Sequence, residues 1–108
     1  MIARTWHGSV PNSKAEQYYK YLLETGVIDL EAVEGNLGVF ILKRIENDYT
    51  HFQMISLWDS YESIKLFAGQ DYEIARYYPN DKEYLIKLEP FVTHFEVLYS
   101  PIIPNDSN

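Results

Sequence analysis

The amino-acid sequence predicts a single α+β domain in which one antiparallel sheet of four strands carries its helices on one face. Two observations lead to this class. The chain has 108 residues, which is a suitable length for one domain. Four short runs of β-branched and aromatic residues alternate with two segments of helical apolar spacing. The resulting order of strand, helix, strand, strand, helix and strand is that of a ferredoxin-like, split βαβ sandwich.

The first strand and the first helix are predicted at the start of the chain. Residues 2–7 are rich in strand-forming side chains, and residues 8–12 contain the Gly and Pro typical of a turn. Ser13 and Glu16 have the spacing of a capping box, which predicts that a helix begins there. Apolar side chains then recur every three or four residues, so we expect a helix over 14–25.

Two paired strands are expected next. Residues 37–42 are apolar at successive positions, which predicts a strand that is buried on both faces. Residues 46–48 are Glu, Asn and Asp, which favour a turn, and residues 50–58 again have strand-like composition. Because so few residues separate the two strands, they should form a hairpin.

The second helix and the last strand complete the domain. Asp59 or Ser60 is expected to cap a helix that ends at Gly69. Residues 71–88 keep a broken helical spacing, which predicts one or two further helical pieces. The last strand is predicted over 91–99.

This order of elements predicts a sheet with the spatial strand order 4-1-3-2. Helices would cover only one face of that sheet, although the hairpin strands are apolar on both faces. A second protomer is therefore expected to cover the other face. We expect the domain to span residues 1–100 and residues 101–108 to form a C-terminal tail.

Composition argues against several classes of function. The chain has 16 acidic and 9 basic residues and a formal net charge of -7. Its basic residues form no stripe that could follow a phosphate backbone. Nucleic acid and membrane are therefore not expected as partners. The absence of cysteine excludes disulfides and thiolate chemistry. No segment has the pattern of a signal peptide or a membrane span, which predicts a soluble, cytoplasmic protein.

Five segments give the chain a family resemblance, namely residues 2–8, 37–44, 55–60, 67–79 and 94–97. Through these segments the chain resembles the antibiotic biosynthesis monooxygenase domains, which are small dimeric α/β barrels. The resemblance implies a homodimer. It also implies one of two chemistries, either the oxidation of aromatic compounds by dioxygen without a cofactor or the degradation of haem.

The residues that the resemblance assigns to haem degradation are missing. That branch of the family uses an Asn on the first strand, with a Trp and a His around the second helix. The matching positions here hold His7, Phe67 and either Arg76 or Tyr77. The sequence therefore argues against haem, and no cofactor is expected.

His7 is the candidate catalytic residue, because the resemblance places it where the family's first strand faces its pocket. A neutral imidazole there would accept the proton of a phenol and so make an aromatic substrate a better electron donor. The alternative is an imidazole at a strand end that is half solvated or bonded to the backbone.

Candidate substrate-binding residues are aromatic and basic side chains expected around a pocket between the helices and the sheet. They are Trp6, Trp58, Phe67, Tyr72, Tyr77, Tyr78, Arg76 and His94. Aromatic rings would provide flat apolar walls, and the guanidinium groups of Arg4 and Arg76 would neutralise a developing oxyanion. Core packing and solvated ion pairs explain the same residues without any ligand.

Three functions remain open at this point. The first is a cofactor-independent monooxygenase that acts on a small aromatic or polyketide-like compound. The second is a non-catalytic homodimer that binds a small ligand or acts as a stress or regulatory module. The third is a metal enzyme, because His7, His51 and His94 are expected at one edge of the sheet, where three imidazoles could hold a divalent ion.

Overall fold

The computed structural model describes residues 1–101 of the chain. Its strands are β1 (Ile2–Pro11), β2 (Asn36–Glu46), β3 (Tyr49–Trp58) and β4 (Thr93–Glu96). Its helices are α1 (Ala15–Glu24), α2 (Gly26–Glu31), α3 (Tyr61–Ala68) and the single turn α4 (Asp81–Tyr84), and a 3-10 turn over Asn12–Lys14 precedes α1. No helix among these residues is long and apolar enough to cross a membrane.

The four strands form one antiparallel sheet in the order β2-β3-β1-β4. The predicted ferredoxin-like α+β fold and its 4-1-3-2 strand order are therefore confirmed. β1 is a central strand: it pairs with β3 along its whole length, from Ile2 opposite Trp58 to Pro11 opposite Tyr49. It pairs with β4 only through its first residues, from Ile2 to Thr5.

Alternation along the strands gives the sheet two different faces, because successive side chains point to opposite sides. The even-numbered residues of β1 and β3 face the helices and form the core with α1, α2 and α3. The buried apolar core residues are Ile2, Val10, Tyr18, Leu22, Leu30, Phe52, Met54, Trp58, Ile64 and Leu85. Each large side chain among them stabilises the fold by about 1.5–3 kcal/mol through burial.

Three local signals in the sequence are confirmed. The Ser60 hydroxyl caps α3 by accepting a hydrogen bond from the Ser63 backbone N–H at 3.2 Å. Gly69 ends the same helix with a φ of 86°, a left-handed conformation that favours glycine. Asn47 has a φ of 53° in the tight turn between β2 and β3, as that class of hairpin turn requires.

Two predictions for the first elements are wrong. β1 continues through Gly8 to Pro11 instead of ending at His7, because the far half of β3 supplies pairing partners for these residues. The capping box does not form: α1 begins after Lys14 with no side-chain hydrogen bond at its N-cap. Ser13 lies within the preceding 3-10 turn.

The last third of the chain also has less regular structure than predicted. Between α3 and β4 the described residues contain only the four-residue α4, and β4 comprises Thr93–Glu96 instead of residues 91–99. Leu85 nevertheless packs into the core from this region. The predicted tail, apart from Pro101, lies outside the described residues.

The sheet face away from the helices is uncovered in the single chain. Side chains of Phe40, Leu42 and Phe95 lie on it with exposed fractions of 37%, 47% and 55%. Within one chain β2 is at most partly buried on either face, and the cover of this face by a second protomer stays a prediction.

A test of the core concerns Gly8, whose missing side chain leaves room for the Trp6 indole. A Cβ at this position would lie 2.6 Å from Trp6 Cη2 and 2.8 Å from Leu85 Cδ2. We expect Gly8→Ala to lower the free energy of unfolding by about 1–3 kcal/mol through overpacking, measured by urea denaturation. Gly26→Ala is the control, because its added Cβ meets Met54 Cε at an ordinary 3.6 Å. Equal effects of the two changes would contradict this account of the packing.

Candidate functional site

A cavity opens between the helices and the helix-facing side of the sheet. Its empty volume is about 510 Å³, which includes space open to solvent. Leu22, Leu30 and Met54 give it an apolar floor, and Trp6 and Phe67 add aromatic walls. This combination of apolar walls with a few polar groups is typical of a small-molecule site.

Arg4 provides the strongest electrostatic feature of the cavity. Its side chain comes from the centre of the sheet, and the residue is only 4% exposed. Its Nη1 donates hydrogen bonds to the Tyr72 carbonyl and to His94 Nε2. No carboxylate among the described residues forms an ion pair with it, and burial lowers the pKa of Arg4 to about 10. A guanidinium that remains charged at neutral pH is thus held at the cavity without a counter-ion.

His94 braces this guanidinium as a neutral imidazole. Arginine can only donate hydrogen bonds, so His94 Nε2, 3.1 Å from Arg4 Nη1, must be the acceptor. Its ring proton is then assigned to Nδ1. Burial, together with the positive charge of Arg4, lowers the pKa of His94 to about 4, which keeps this geometry at neutral pH.

Two further donors line the same cavity. The Arg76 guanidinium lies 4.8 Å from the centre of the Phe67 ring and 3.3 Å from an Asp29 carboxylate oxygen. The Trp6 indole N–H is buried and has no hydrogen-bond partner within residues 1–101. The Tyr77 hydroxyl lies near this indole but outside hydrogen-bonding geometry. A buried donor without an acceptor is costly, and a ligand oxygen in the cavity would satisfy it.

Two tyrosines of the cavity wall are paired with aspartates. The Tyr18 hydroxyl donates to Asp81 Oδ1 at 2.8 Å, and the Tyr78 hydroxyl donates to Asp29 Oδ2 at 2.7 Å. Burial, reinforced by these carboxylates, raises the pKa of both tyrosines. Both phenols therefore remain protonated donors and are already committed to protein partners.

Asp81 is a cavity residue that the sequence analysis did not identify. Its carboxylate accepts a hydrogen bond from the Tyr78 backbone N–H at 2.6 Å. It is also 4% exposed and lines the cavity. The sequence carries no sign of this second role, because Tyr18, its partner, is 63 residues away in the chain.

The predicted binding residues divide into three groups. Trp6, Phe67, Arg76 and Tyr78 line the cavity. Tyr72 and His94 stand behind it and hold Arg4. Trp58 and Tyr77 belong to the packing around the site: Trp58 is fully buried and its indole donates to Ser56 Oγ, whereas Tyr77 packs edge-on against Trp6.

His7 does not face this cavity. On β1 the side chains of Arg4 and Trp6 point toward the helices, so His7 points to the opposite face of the sheet. There its imidazole contacts Glu89 and His51. The expectation that His7 lies in a pocket between helices and sheet is wrong, since an odd residue of this strand cannot share the face of its even neighbours.

The three histidines do not meet at one site. His7 and His51 lie together on the uncovered face, whereas His94 bonds Arg4 on the helix side. The three-histidine metal centre is therefore wrong. Within residues 1–101 no group of three or more His, Cys, Asp or Glu side chains is arranged to hold a metal ion.

A second groove lies between α1 and the hairpin of β2 and β3. It is larger than the first, with an empty volume of about 1070 Å³ that includes space open to solvent. Its charged side chains, Glu16 and Lys43, are exposed. Because it has no buried charge or unpaired buried donor among its lining residues, the cavity at Arg4 is the better candidate site.

Comparison with known proteins identifies the fold. No protein-family model matches the chain, and no curated protein matches it significantly. Solved structures do match it. A candidate antibiotic biosynthesis monooxygenase from Bacillus cereus superimposes with a TM-score of 0.65 at 15% identity, covering 92% of this chain and 94% of that one. The chain shares the ferredoxin-like α+β fold of that structure.

A second solved structure supports the same assignment. An arginine-to-serine variant of MhuD, with two manganese protoporphyrin IX molecules bound per active site, superimposes with a TM-score of 0.62 at 17% identity. The match covers 93% of this chain and 97% of that one. The resemblance predicted from the sequence is confirmed at the level of the fold, and at these identities the likeness extends no further.

The neutral state of His94 makes stability depend on pH. Its pKa is lowered from 6.5 to about 4 in the folded chain, so the unfolded chain binds more protons between these values. The stability that neutral His94 contributes is present above pH 6.5 and is lost as the pH falls toward 4.

We therefore expect His94→Gln to show a smaller fall in melting temperature between pH 7 and pH 4 than the parent chain. Thermal unfolding followed by circular dichroism at a series of pH values measures both slopes. All carboxylates are common to the two proteins, so their contributions cancel in the comparison. Parallel slopes would contradict the neutral, buried imidazole.

Proposed function

We propose that the chain is a cofactor-independent monooxygenase that acts, as a homodimer, on a small aromatic or polyketide-like compound bound in the cavity at Arg4. The observation that carries this proposal is a buried guanidinium without a counter-ion beside an aromatic wall. Proteins rarely leave a buried charge unpaired, because the cost is several kcal/mol. An anionic oxygen would pair with the guanidinium, and the aromatic ring that carries this oxygen would pack against the aromatic walls.

In this proposal the protein makes the substrate a better electron donor. The substrate hydroxyl loses its proton while its oxygen accepts hydrogen bonds from Arg4 and the Trp6 indole, so the oxyanion is stabilised in a site of low polarity. The resulting electron-rich anion reacts with dioxygen. Overall, the phenol loses one ring C–H hydrogen and its hydroxyl hydrogen as the ring becomes a quinone. One atom of dioxygen becomes the new carbonyl oxygen, and the other leaves as water with the two hydrogens.

A base for this step must lie on the helix side of the sheet, which excludes His7 from direct contact. Among the described residues, Asp81 is the only carboxylate that lines the cavity. Two of its lone pairs accept hydrogen bonds from Tyr18 and Tyr78, and a carboxylate has about four such positions. We assign the substrate proton to Asp81.

A haem does not fit this site. The cavity has no histidine among its lining residues, its two tyrosines are committed to carboxylates, and Met54 is the only other side chain of a type that ligates haem iron. No step of the proposal therefore involves haem.

Arg4→Met tests the role of the guanidinium. The test compounds are hydroxylated one-ring and two-ring aromatics. Oxygen consumption measures their turnover, and tryptophan fluorescence measures their binding. We expect kcat/KM to fall by about 100-fold or more, as for the loss of an oxyanion donor. The free energy of unfolding should stay unchanged or rise by about 1–4 kcal/mol, because a buried charge is replaced by an apolar side chain of similar length.

Arg4→Lys is the matched control, since it keeps the charge but changes the donor geometry. Retained turnover in Arg4→Met would contradict the proposed chemistry. A different result would favour the second function, a non-catalytic small-ligand module. In that case the test compounds bind in a way that depends on Arg4, and none of them causes oxygen consumption.

The uncovered sheet face supports the homodimer in this proposal. Phe40, Leu42 and Phe95 expose apolar surface there, and they share this face with the partly or fully buried Ile55 and Leu57. An apolar sheet face in water favours association. A second copy of the chain offers the same face and would bury both.

Phe40→Glu tests this homodimer. A charge on the uncovered sheet face should shift the mass measured by light scattering at micromolar concentration from two chains to one. Leu66→Glu is the control, because Leu66 is 72% exposed on α3, away from the sheet face. A parent chain that is already monomeric, or equal effects of the two changes, would contradict the dimer.

A further inference from the structure

Arg4 uses only one part of its guanidinium to contact the protein. Both N–H groups of Nη1 are taken, one by the Tyr72 carbonyl and one by His94 Nε2. The Nε and Nη2 groups have no partner within residues 1–101, and neither atom is fully enclosed by protein. Because Arg4 lines the cavity, these N–H groups face its open space. The Nε–Nη2 edge of an arginine is suited to bind two oxygen atoms at once.

Ser56 adds a further donor beside this edge. The residue is 2% exposed, lines the cavity and lies directly opposite Arg4 in the pairing of β1 with β3. Residues in such positions have Cβ atoms about 4.5–5.5 Å apart on one face of the sheet. The Ser56 oxygen accepts a hydrogen bond from the Trp58 indole N–H at 2.9 Å, which strengthens its own O–H as a donor. That O–H has no acceptor among the described residues.

The cavity therefore offers several unpaired donors on one face of the sheet. They are the Nε–Nη2 edge of Arg4, the Ser56 hydroxyl and the Trp6 indole N–H. A buried donor that stays unpaired is costly, and a single phenolic oxygen can occupy only one end of the arginine edge. Two oxygen atoms side by side would occupy both ends and leave lone pairs for the other donors.

Carboxylates and aromatic 1,2-diols both present two oxygen atoms side by side. A carboxylate is already ionised when it approaches the chain, so the net charge of -7 repels it, and it has no proton to transfer. A 1,2-diol enters as a neutral compound and has a proton for Asp81, which lines the same cavity. Its ring would pack against Phe67, whose ring centre lies 5.6 Å from the Arg4 guanidinium carbon. The site therefore favours the diol.

We propose that the cavity at Arg4 selects aromatic compounds that carry hydroxyl groups on adjacent ring carbons. The Nε–Nη2 edge of Arg4 donates to both oxygens, and the Ser56 hydroxyl donates to one of them. One hydroxyl proton passes to Asp81, and the other hydrogen stays between the two oxygens of the resulting monoanion. This inference rests on the aromatic ligand of the proposed function and names its chemical class.

Three isomers test this selectivity, namely catechol, resorcinol and hydroquinone. They have the same composition and differ only in the relative position of their two hydroxyl groups. Isothermal titration in oxygen-free buffer measures their binding to the parent chain without turnover. We expect catechol to bind about tenfold more tightly than either isomer, or better, because only adjacent oxygens can pair with both ends of the Arg4 edge. Benzoate, titrated in the same way, represents the carboxylates and should bind less tightly than catechol.

Variants of the two donors locate the selectivity. Arg4→Lys keeps the charge but loses the two-donor edge, so the ratio of catechol to resorcinol affinity should fall toward one. Ser56→Ala should lower the same ratio about threefold or more. The matched control is Ser9→Ala, because Ser9 pairs with His51 on the other face of the sheet, and it should leave the ratio unchanged. A merely structural defect would weaken both isomers alike, and circular dichroism checks that each variant is folded.

The possible failures are distinguishable. Equal affinity of the parent chain for the three isomers would overturn the selectivity, whereas the oxygen consumption of other phenols, and with it the proposed function, would be unaffected. Tighter binding of benzoate than of catechol would replace the diol by a carboxylate. A parent chain that binds none of these compounds at millimolar concentration would overturn both this inference and the aromatic ligand of the proposed function. An unchanged ratio in folded Arg4→Lys would exclude the arginine edge as its cause.

Discussion

The alternation of side chains along β1 is the constraint on which the rest of the structure depends. β1 is paired on both sides at its start, so its residues cannot rotate between faces. Arg4 and Trp6 must therefore face the helices, and His7 must face away from them. Because adjacent residues serve opposite faces, one strand supplies both the buried guanidinium of the cavity and one imidazole of the histidine pair.

The cavity at Arg4 exists because several elements leave space around this strand. Gly8 has no side chain, which lets the Trp6 indole lie over it. Tyr72 and His94 then fix the guanidinium through a carbonyl and a neutral imidazole, neither of which cancels its charge. An aspartate at either position would pair with Arg4 and would remove the attraction for an anionic ligand.

The sequence predicted the fold well where local chemistry and global pairing agree. Ser60 and Gly69 mark the ends of α3, and the turn before β3 sets the hairpin register, so these features need only their own neighbours. The capping box at Ser13 fails for the opposite reason: β1 extends to Pro11 through pairing with β3, and the chain then enters α1 through a 3-10 turn.

The site was predicted less well, because a one-residue change in strand register moves a side chain to the other face. The family resemblance placed His7 in the cavity. Trp6 was predicted in the same pocket, and neighbouring residues of a strand point to opposite faces, so the two predictions excluded each other. Trp6, Phe67 and Arg76 were found from residue type alone. Asp81 was not, since its partner Tyr18 is distant in the chain and contact between them depends on the assembled fold.

The overall charge of the protein constrains how a ligand reaches Arg4. A net charge of -7 repels anions at long range, so an aromatic anion is not steered toward the cavity. A neutral phenol meets no such barrier and gains from burial against Trp6 and Phe67. Arg4 then interacts most strongly with the oxyanion that forms after the proton is lost, and not with the neutral compound that enters. Such a difference between the two states accelerates a reaction, whereas equal affinity for both would only retain the ligand.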